Sequence, residues 1–122
     1  MAEHNALGQK GESIALEYLR TKGYEICHTN WRFGRYELDI VAKIGDEIVF
    51  IEVKTRRNMD FLNPEDAVDT NKVKNMLRAG DNYIKRYDID LEPRFDIISI
   101  VIGGEAKAKI KHIEDAFISP IF

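Results

Sequence analysis

Apolar residues between Ala6 and Lys22 recur at helical spacing, with Leu7, Ile14, Ala15, Tyr18 and Leu19 on one stripe. Asn5 reads as the N-cap of this helix and Gly23 as its stop. The pattern then changes period. Tyr24–Cys27 reads as a short strand, followed by an irregular stretch through Trp31, Phe33 and Gly34. Glu37–Lys43 alternates, with Leu38, Ile40 and Ala42 on one side. Ile48–Val53 is almost continuously apolar, the mark of a central strand. Asn63-Pro64 opens a second helical segment, with Pro64 suited to the first helical position. Val73, Met76, Leu77, Gly80, Tyr83, Ile84 and Tyr87 trace one face of it. Phe95–Ile102 is a strand, Gly103-Gly104 a turn and Ala106–Ile113 its hairpin partner. The order α-β-β-β-α-β-β predicts an α/β fold, a mixed sheet flanked by helices. The second helix joins the central strand to the Phe95 strand, and a right-handed crossover makes those two parallel.

The chain has 122 residues, the usual size of one domain, so a single domain over 1–122 is expected. No apolar run approaches the roughly 20 residues of a membrane helix. Met1 to Lys10 lacks an apolar signal core, so a cytoplasmic protein with no membrane partner is expected. The single cysteine, Cys27, excludes an internal disulfide framework and a cysteine-based zinc site, and reads as a small buried residue. Lys plus Arg number 18 against 21 Asp plus Glu, for a net charge of −3. That balance does not favour nucleic acid, but it is uneven along the chain. Lys72, Lys74, Arg78, Lys85 and Arg86 face Asp81 alone within residues 71–87, and Lys54, Arg56 and Arg57 form a second basic cluster. An acidic protein can still present a basic face.

Gly45-Asp46 separates two strand-like runs, and Gly at the first central position suits a two-residue type II′ turn. Ile44 then faces Glu47, and cross-strand partners have residue numbers summing to 91. Asp39 stands opposite Glu52, and Glu37 opposite Lys54, all on one face. Leu38, Ile40, Val49, Ile51 and Val53 fill the other. Opposed side chains start about 5 Å apart at Cβ, and like charges placed so are destabilising. A divalent cation is one reason to keep two such carboxylates, and oxygen ligands suit Mg²⁺ or Mn²⁺. Lys54, one step along, would orient or deprotonate a water or stabilise charge on a phosphate. Spacing alone leaves a second reading open, in which charges at strand ends are simply solvated and Glu52 and Lys54 form an ordinary ion pair.

Asp39 followed by Glu52-Val53-Lys54 resembles the Asp…Glu-x-Lys signature of the restriction-endonuclease-like nucleases, and the element order resembles their α-β-β-β-α-β core. A longer ordered set is similar to the YraN family of uncharacterised bacterial proteins, predicted endonucleases. It comprises Gly8-x-x-Gly11-Glu12, Gly23-Tyr24, Asn30-Trp31-Arg32, Glu37-Leu38-Asp39-Ile40-Val41-Ala42, Phe50-Ile51-Glu52-Val53-Lys54-Thr55-Arg56, Lys72 and Arg94-Phe95-Asp96. One departure is Tyr36, where that family commonly has Gly. The resemblance implies that Asp39 and Glu52 bind the metal, aided by the Val53 carbonyl, and that Lys54 assists catalysis. A helix-one Glu ahead of these residues also resembles the archaeal Holliday-junction resolvases, which makes Glu12 a candidate further ligand. Its other reading is a carboxylate favoured by the helix dipole.

Among the remaining candidates, Glu37 either supports the metal or pairs with Lys54. Thr55, Arg56, Arg32, Arg35 and Lys72 are candidates for holding phosphates, and Trp31, Arg32, Phe33 and Arg35 interleave aromatic with basic groups as base-stacking surfaces do. For Trp31, packing in the core is the favoured alternative. His4, His28 and His112 lack ligand spacing and are assigned no role. The expected function is therefore a metal-dependent endonuclease acting on DNA or structured nucleic acid, junction or flap DNA included. The alternative is a nucleic-acid-binding module that keeps the fold without the chemistry. A homodimer is a further expectation, with the apolar segment Ala116 to Phe122 either docking on a partner or covering the sheet.

Overall fold

A computed structural model of the protein describes residues 2–57, 70–103 and 108–116. The elements are α1 (Ala2–Thr21), β1 (Glu25–Phe33), β2 (Tyr36–Ile44), β3 (Glu47–Arg57), α2 (Thr70–Arg86), β4 (Glu92–Ile102) and β5 (Lys109–Ile113). The strands form one sheet in the order β1-β2-β3-β4-β5. Only β3 and β4 run parallel; the other neighbours are antiparallel. This is the α-β-β-β-α-β-β mixed sheet that the periodicity predicts. The Asn63-Pro64 helix opening, Gly104 and the segment after Ala116 lie outside the described residues.

The α1 helix starts before Asn5, which therefore lies within it rather than capping it. Its C-terminus behaves as the glycine predicts. Gly23 takes a φ of 91°, its N–H donates to the Arg20 carbonyl, and the Tyr24 N–H reaches back to Leu19. These two bonds satisfy orphan carbonyls, and Tyr24 packs with Leu19 in the core beneath them.

Alternation along β3 divides the core into two layers. Val49 and Ile51 join Ala15 and Leu19 of α1, with Ile40, Ala42, Ile98 and Ile100. Ile48 and Phe50 join Ala79 and Tyr83 of α2, with Trp31, Leu38 and Val41. The helices therefore lie on opposite faces of the sheet, and β3 is covered on both. Gly80 lets α2 approach closely, because a Cβ there would stand 2.8 Å from the Phe95 ring. Tyr87 falls just beyond the end of α2 and is 40% exposed, yet it continues the helical stripe, its ring 4.6 Å from that of Tyr83 and its hydroxyl on the Trp31 indole N–H.

Two strand assignments need correction. β1 is not a four-residue strand but runs on through Trp31 to Phe33, with a register shift between Ile26 and His28. Pairing with β2, rather than any alternation of its own, makes it a strand. Leu38 also packs on the α2 side, opposite to Ile40, so the strict period of two fails between them. Among the described residues, no helix is long and apolar enough to cross a membrane.

Candidate active site

The β2–β3 hairpin closes as its turn residues predict. Gly45 takes a φ of 57° while Asp46 stays out of the left-handed region, and Ile44 faces Glu47. The pairing sum of 91 holds from there to Ile40↔Ile51, where the ladder stops. Beyond that point Asp39 Oδ2 accepts a hydrogen bond of 2.9 Å from the Val53 N–H. A side-chain carboxylate has taken the place of a ladder carbonyl, and the two strands part into a fork. On the other flank, Asn30 of β1 stands where Asp39 would find its partner, and its φ of 51° breaks that ladder too. Left-handed backbone is tolerated by Asn better than by most residues. This double interruption is what turns Leu38 to the α2 side.

The fork opens into a cleft of about 900 Å³ between the middle of α1 and the first turn of α2. Glu12, Glu37, Asp39, Glu52, Lys54 and Lys72 all line it. Thus the acids and lysines singled out in the sequence meet in one place, together with a helix that follows them in the chain.

Glu52 is 4% exposed, in the middle of the central strand. Burial pushes its pKa up to about 8, and the Asp39 carboxylate adds to the rise. Lys72 Nζ at 3.4 Å and Lys54 Nζ at 3.9 Å from Oε2 oppose it without cancelling it. The other oxygen, Oε1, is buried and has no hydrogen-bond partner among the described residues. An unsatisfied buried carboxylate oxygen costs several kcal/mol in principle unless it is protonated or ligated.

Glu12 reaches the cleft from α1. Its Oε1 accepts a hydrogen bond of 2.8 Å from Asn30 Nδ2. Burial raises its pKa, the Asn30 bond opposes that rise, and the Asp39 and Glu37 carboxylates add to it. Glu37 is not opposite Lys54, because the ladder ends before it. It pairs instead with Arg32 across β1–β2, at 2.8 Å. Arg32 thereby belongs to the cleft wall.

The donor set fits a hard divalent cation. Asp39 and Glu52 supply carboxylates, one with an oxygen lacking any partner. In an extended strand the N–H and C=O of one residue point the same way, so the Val53 carbonyl faces the fork as its N–H does. Among the described residues, no three His, Cys, Asp or Glu side chains converge tightly enough to form a closed metal cage. Two carboxylates and a carbonyl suit Mg²⁺, which keeps several waters.

The phosphate-holding candidates divide. Arg32, Lys72 and Thr55 line the cleft; Arg35 and Arg56 do not. Thr55 is also the packing partner of α1, since a Cβ on Gly11 would meet its Oγ1 at 1.8 Å. Trp31 is 8% exposed and packs against Tyr83, with its indole N–H on the Tyr87 hydroxyl.

The model of the uncharacterised protein family UPF0102 matches residues 11–100, which take in Glu12, Glu37, Asp39, Glu52, Lys54 and Lys72 of the cleft, the strands β1 to β3 and most of β4. This chain belongs to the UPF0102 family. The YraN family whose motifs it carries is that same family. A UPF0102 protein of Bacteroides thetaiotaomicron is 52% identical over 122 residues, all of both chains. One of Phocaeicola vulgatus is 49% identical over the same span, and one of Porphyromonas gingivalis 48% identical over 96% of this chain and 87% of its own. Two UPF0102 features escaped sequence reasoning. Asn30, read only as part of the Asn30-Trp31-Arg32 motif and given no role there, orients Glu12 and interrupts the sheet. His112, assigned no role, closes a buried network with Asp96, Arg94 and Tyr18 on the α1 face of the sheet.

Proposed function

We propose that this UPF0102 chain is a metal-dependent endonuclease that hydrolyses phosphodiester bonds in DNA or structured nucleic acid, with Mg²⁺ or Mn²⁺ as cofactor. The observation that carries the reading is Glu52, a buried carboxyl with one oxygen unpartnered and its pKa near 8, set beside Asp39. The Lys72 and Lys54 ion pairs engage Oε2 of Glu52, which leaves Oε1 for a ligand that the described residues do not supply.

Asp39, Glu52 and the Val53 carbonyl would hold the metal, with Glu12 as a further candidate ligand. Bound there, the ion lowers the pKa of a coordinated water and offsets charge on the phosphate. Lys54 would orient or activate that water, and the Lys72 ammonium group would stabilise charge on the scissile phosphate. Glu37 keeps Arg32 at the rim, and Arg32, Arg35, Arg56 and Thr55 serve the phosphates on either side. The partner is nucleic acid met in the cytoplasm. A homodimer would bring two clefts to one substrate.

Labelled single-stranded, duplex, flap and four-way-junction DNA, incubated with Mg²⁺ or Mn²⁺, tests this. The parent cleaves, chelator stops it, and Glu52→Gln loses at least about 10²-fold in rate, the size of removing one group that stabilises the transition state. Cleavage by Glu52→Gln at the parent rate would overturn the mechanism. Absence of products on every substrate, with no metal binding by calorimetry, would leave a non-catalytic nucleic-acid-binding module.

A further inference from the structure

The β1–β2 hairpin has two differently furnished sides. On the cleft side stand Arg32 and Glu37. The opposite side carries Trp31, Phe33 and Tyr36, with Phe33↔Tyr36 as the last pair before the Gly34-Arg35 tip. Trp31 is anchored edge-on to Tyr83, at 5.1 Å between centroids, and so cannot shift. Phe33 stacks on Trp31 with its plane only 10° off and its centroid 6.2 Å away. One ring face is thus covered, yet Phe33 remains 41% exposed, the most exposed large apolar residue described. The stack is open at its outer end.

Guanidinium groups gather on Tyr36, the cross-strand neighbour of Phe33. Arg35 lies over the Tyr36 ring at 5.7 Å, and Arg78 of α2 donates to the Tyr36 hydroxyl at 3.2 Å. Among the described residues, no carboxylate pairs with either guanidinium. An aromatic face flanked by uncompensated cations is complementary to a nucleobase and its phosphates. A docking peptide would instead need acidic groups to meet the same cations, and it has no use for a flat single-ring terminus.

We infer that Phe33 is a stacking platform for one unpaired nucleobase, with Arg35 and Arg78 holding its flanking phosphates. The substrate is then a nucleic acid with a single-stranded portion next to the scissile bond, and the hairpin tip separates that portion from the strand in the cleft. A base inside a continuous duplex keeps both faces covered and has none to offer Phe33. This assignment rests on the nuclease reading for what lies in the cleft, but the stacking can be measured without cleavage.

The full chain, in chelator, is titrated with a blunt DNA duplex and with the same duplex carrying a single-stranded arm that contains 2-aminopurine near the branch. The parent should bind the armed DNA more tightly and quench the probe. Phe33→Ala, and Phe33→Leu, which keeps the apolar bulk without the ring, should each lose about 5- to 100-fold for the armed DNA and lose the quench. Both should bind blunt duplex as the parent does, and Phe33→Trp should retain the preference. No preference for the arm in the parent, or unchanged binding by both ring-deleting variants, overturns the platform. If the platform behaves as expected while Mg²⁺ and Mn²⁺ yield no cleavage, the nuclease reading fails alone. Cleavage by the parent with arm binding indifferent to Phe33 removes the platform alone.

Discussion

The Glu52 carboxyl keeps its proton in the folded, metal-free protein to a pH near 8, whereas an unfolded chain releases it near 4.5. Between those values the folded state holds a proton that the unfolded state does not, so stability falls as pH rises. Below pH 4.5 both states are protonated, and above 8 neither is, so the loss is confined to that window. Glu52→Gln cannot titrate. In chelator its thermal midpoint should fall less than the parent's from pH 5 to 8, the two curves diverging by about 1 kcal/mol per pH unit. Parallel curves would show that the proton is not on Glu52. A metal must displace the same proton, so Mn²⁺ affinity should tighten roughly tenfold per pH unit below 8 with proton release visible by calorimetry. The residues themselves were legible. Asp39, Glu52 and Lys54 follow from a two-residue turn and a period of two. That Glu52 would be buried with one oxygen unserved was not, because it depends on α1 and α2 closing over the strand.

Between elements, the contact that most directly shapes the cleft is Gly11 against Thr55. Any Cβ at position 11 enters the Thr55 side chain, so α1 can lie on β3 only with glycine there. Gly11→Ala should cost about 1–3 kcal/mol in urea unfolding as helix and strand move apart. Pairing it with Thr55→Ala should recover part of that cost, since Oγ1 and Cγ2 are then gone. Additive costs in the double variant would show that the two do not meet. Glycine spacing in α1 was visible in the sequence, but its partner on a strand 44 positions on was not. The β1 extension was hidden for a related reason. Thr29-Asn30-Trp31-Arg32-Phe33 has no clean alternation, and only the neighbouring strand makes it extended.

Across the molecule, the α1 face of β4 and β5 is fastened by charge. Asp96, wholly buried, accepts from Arg94 Nε and Nη2, from the Asp115 N–H and from His112 Nε2. Burial alone would raise its pKa, but the bonds from His112, Arg94 and Asp115 outweigh it and hold the carboxyl below its ordinary range. Arg94 continues to Glu47 of β3 and to the Tyr24 hydroxyl, and His112 to Tyr18 of α1. One carboxylate thereby connects β4, β5, β3 and α1. Asp96→Asn removes the charge beneath a largely buried guanidinium and should cost about 3 kcal/mol or more, read as a fall of roughly 10 °C in Tm. A loss below about 1 kcal/mol would mark the network as incidental. None of Asp96, Arg94, His112 and Tyr18 lines the cleft, so nucleic-acid affinity of the folded variant should be unchanged.

The element order, the β2–β3 register down to Ile40 and the choice of two acids and a lysine were determined by the sequence alone, because each depends on local periodicity, turn chemistry or residues close in the chain. Membership of the UPF0102 family was legible there as well, in an ordered set of motifs. Tertiary structure alone decided that the strands fork at Asp39, that Leu38 turns away from Ile40, that Glu37 answers Arg32 rather than Lys54, and that Lys72 comes within 3.4 Å of Glu52. Each of these is set by groups distant in sequence competing for one hydrogen bond, one face or one charge, and a one-dimensional pattern carries no record of which competitor arrives first.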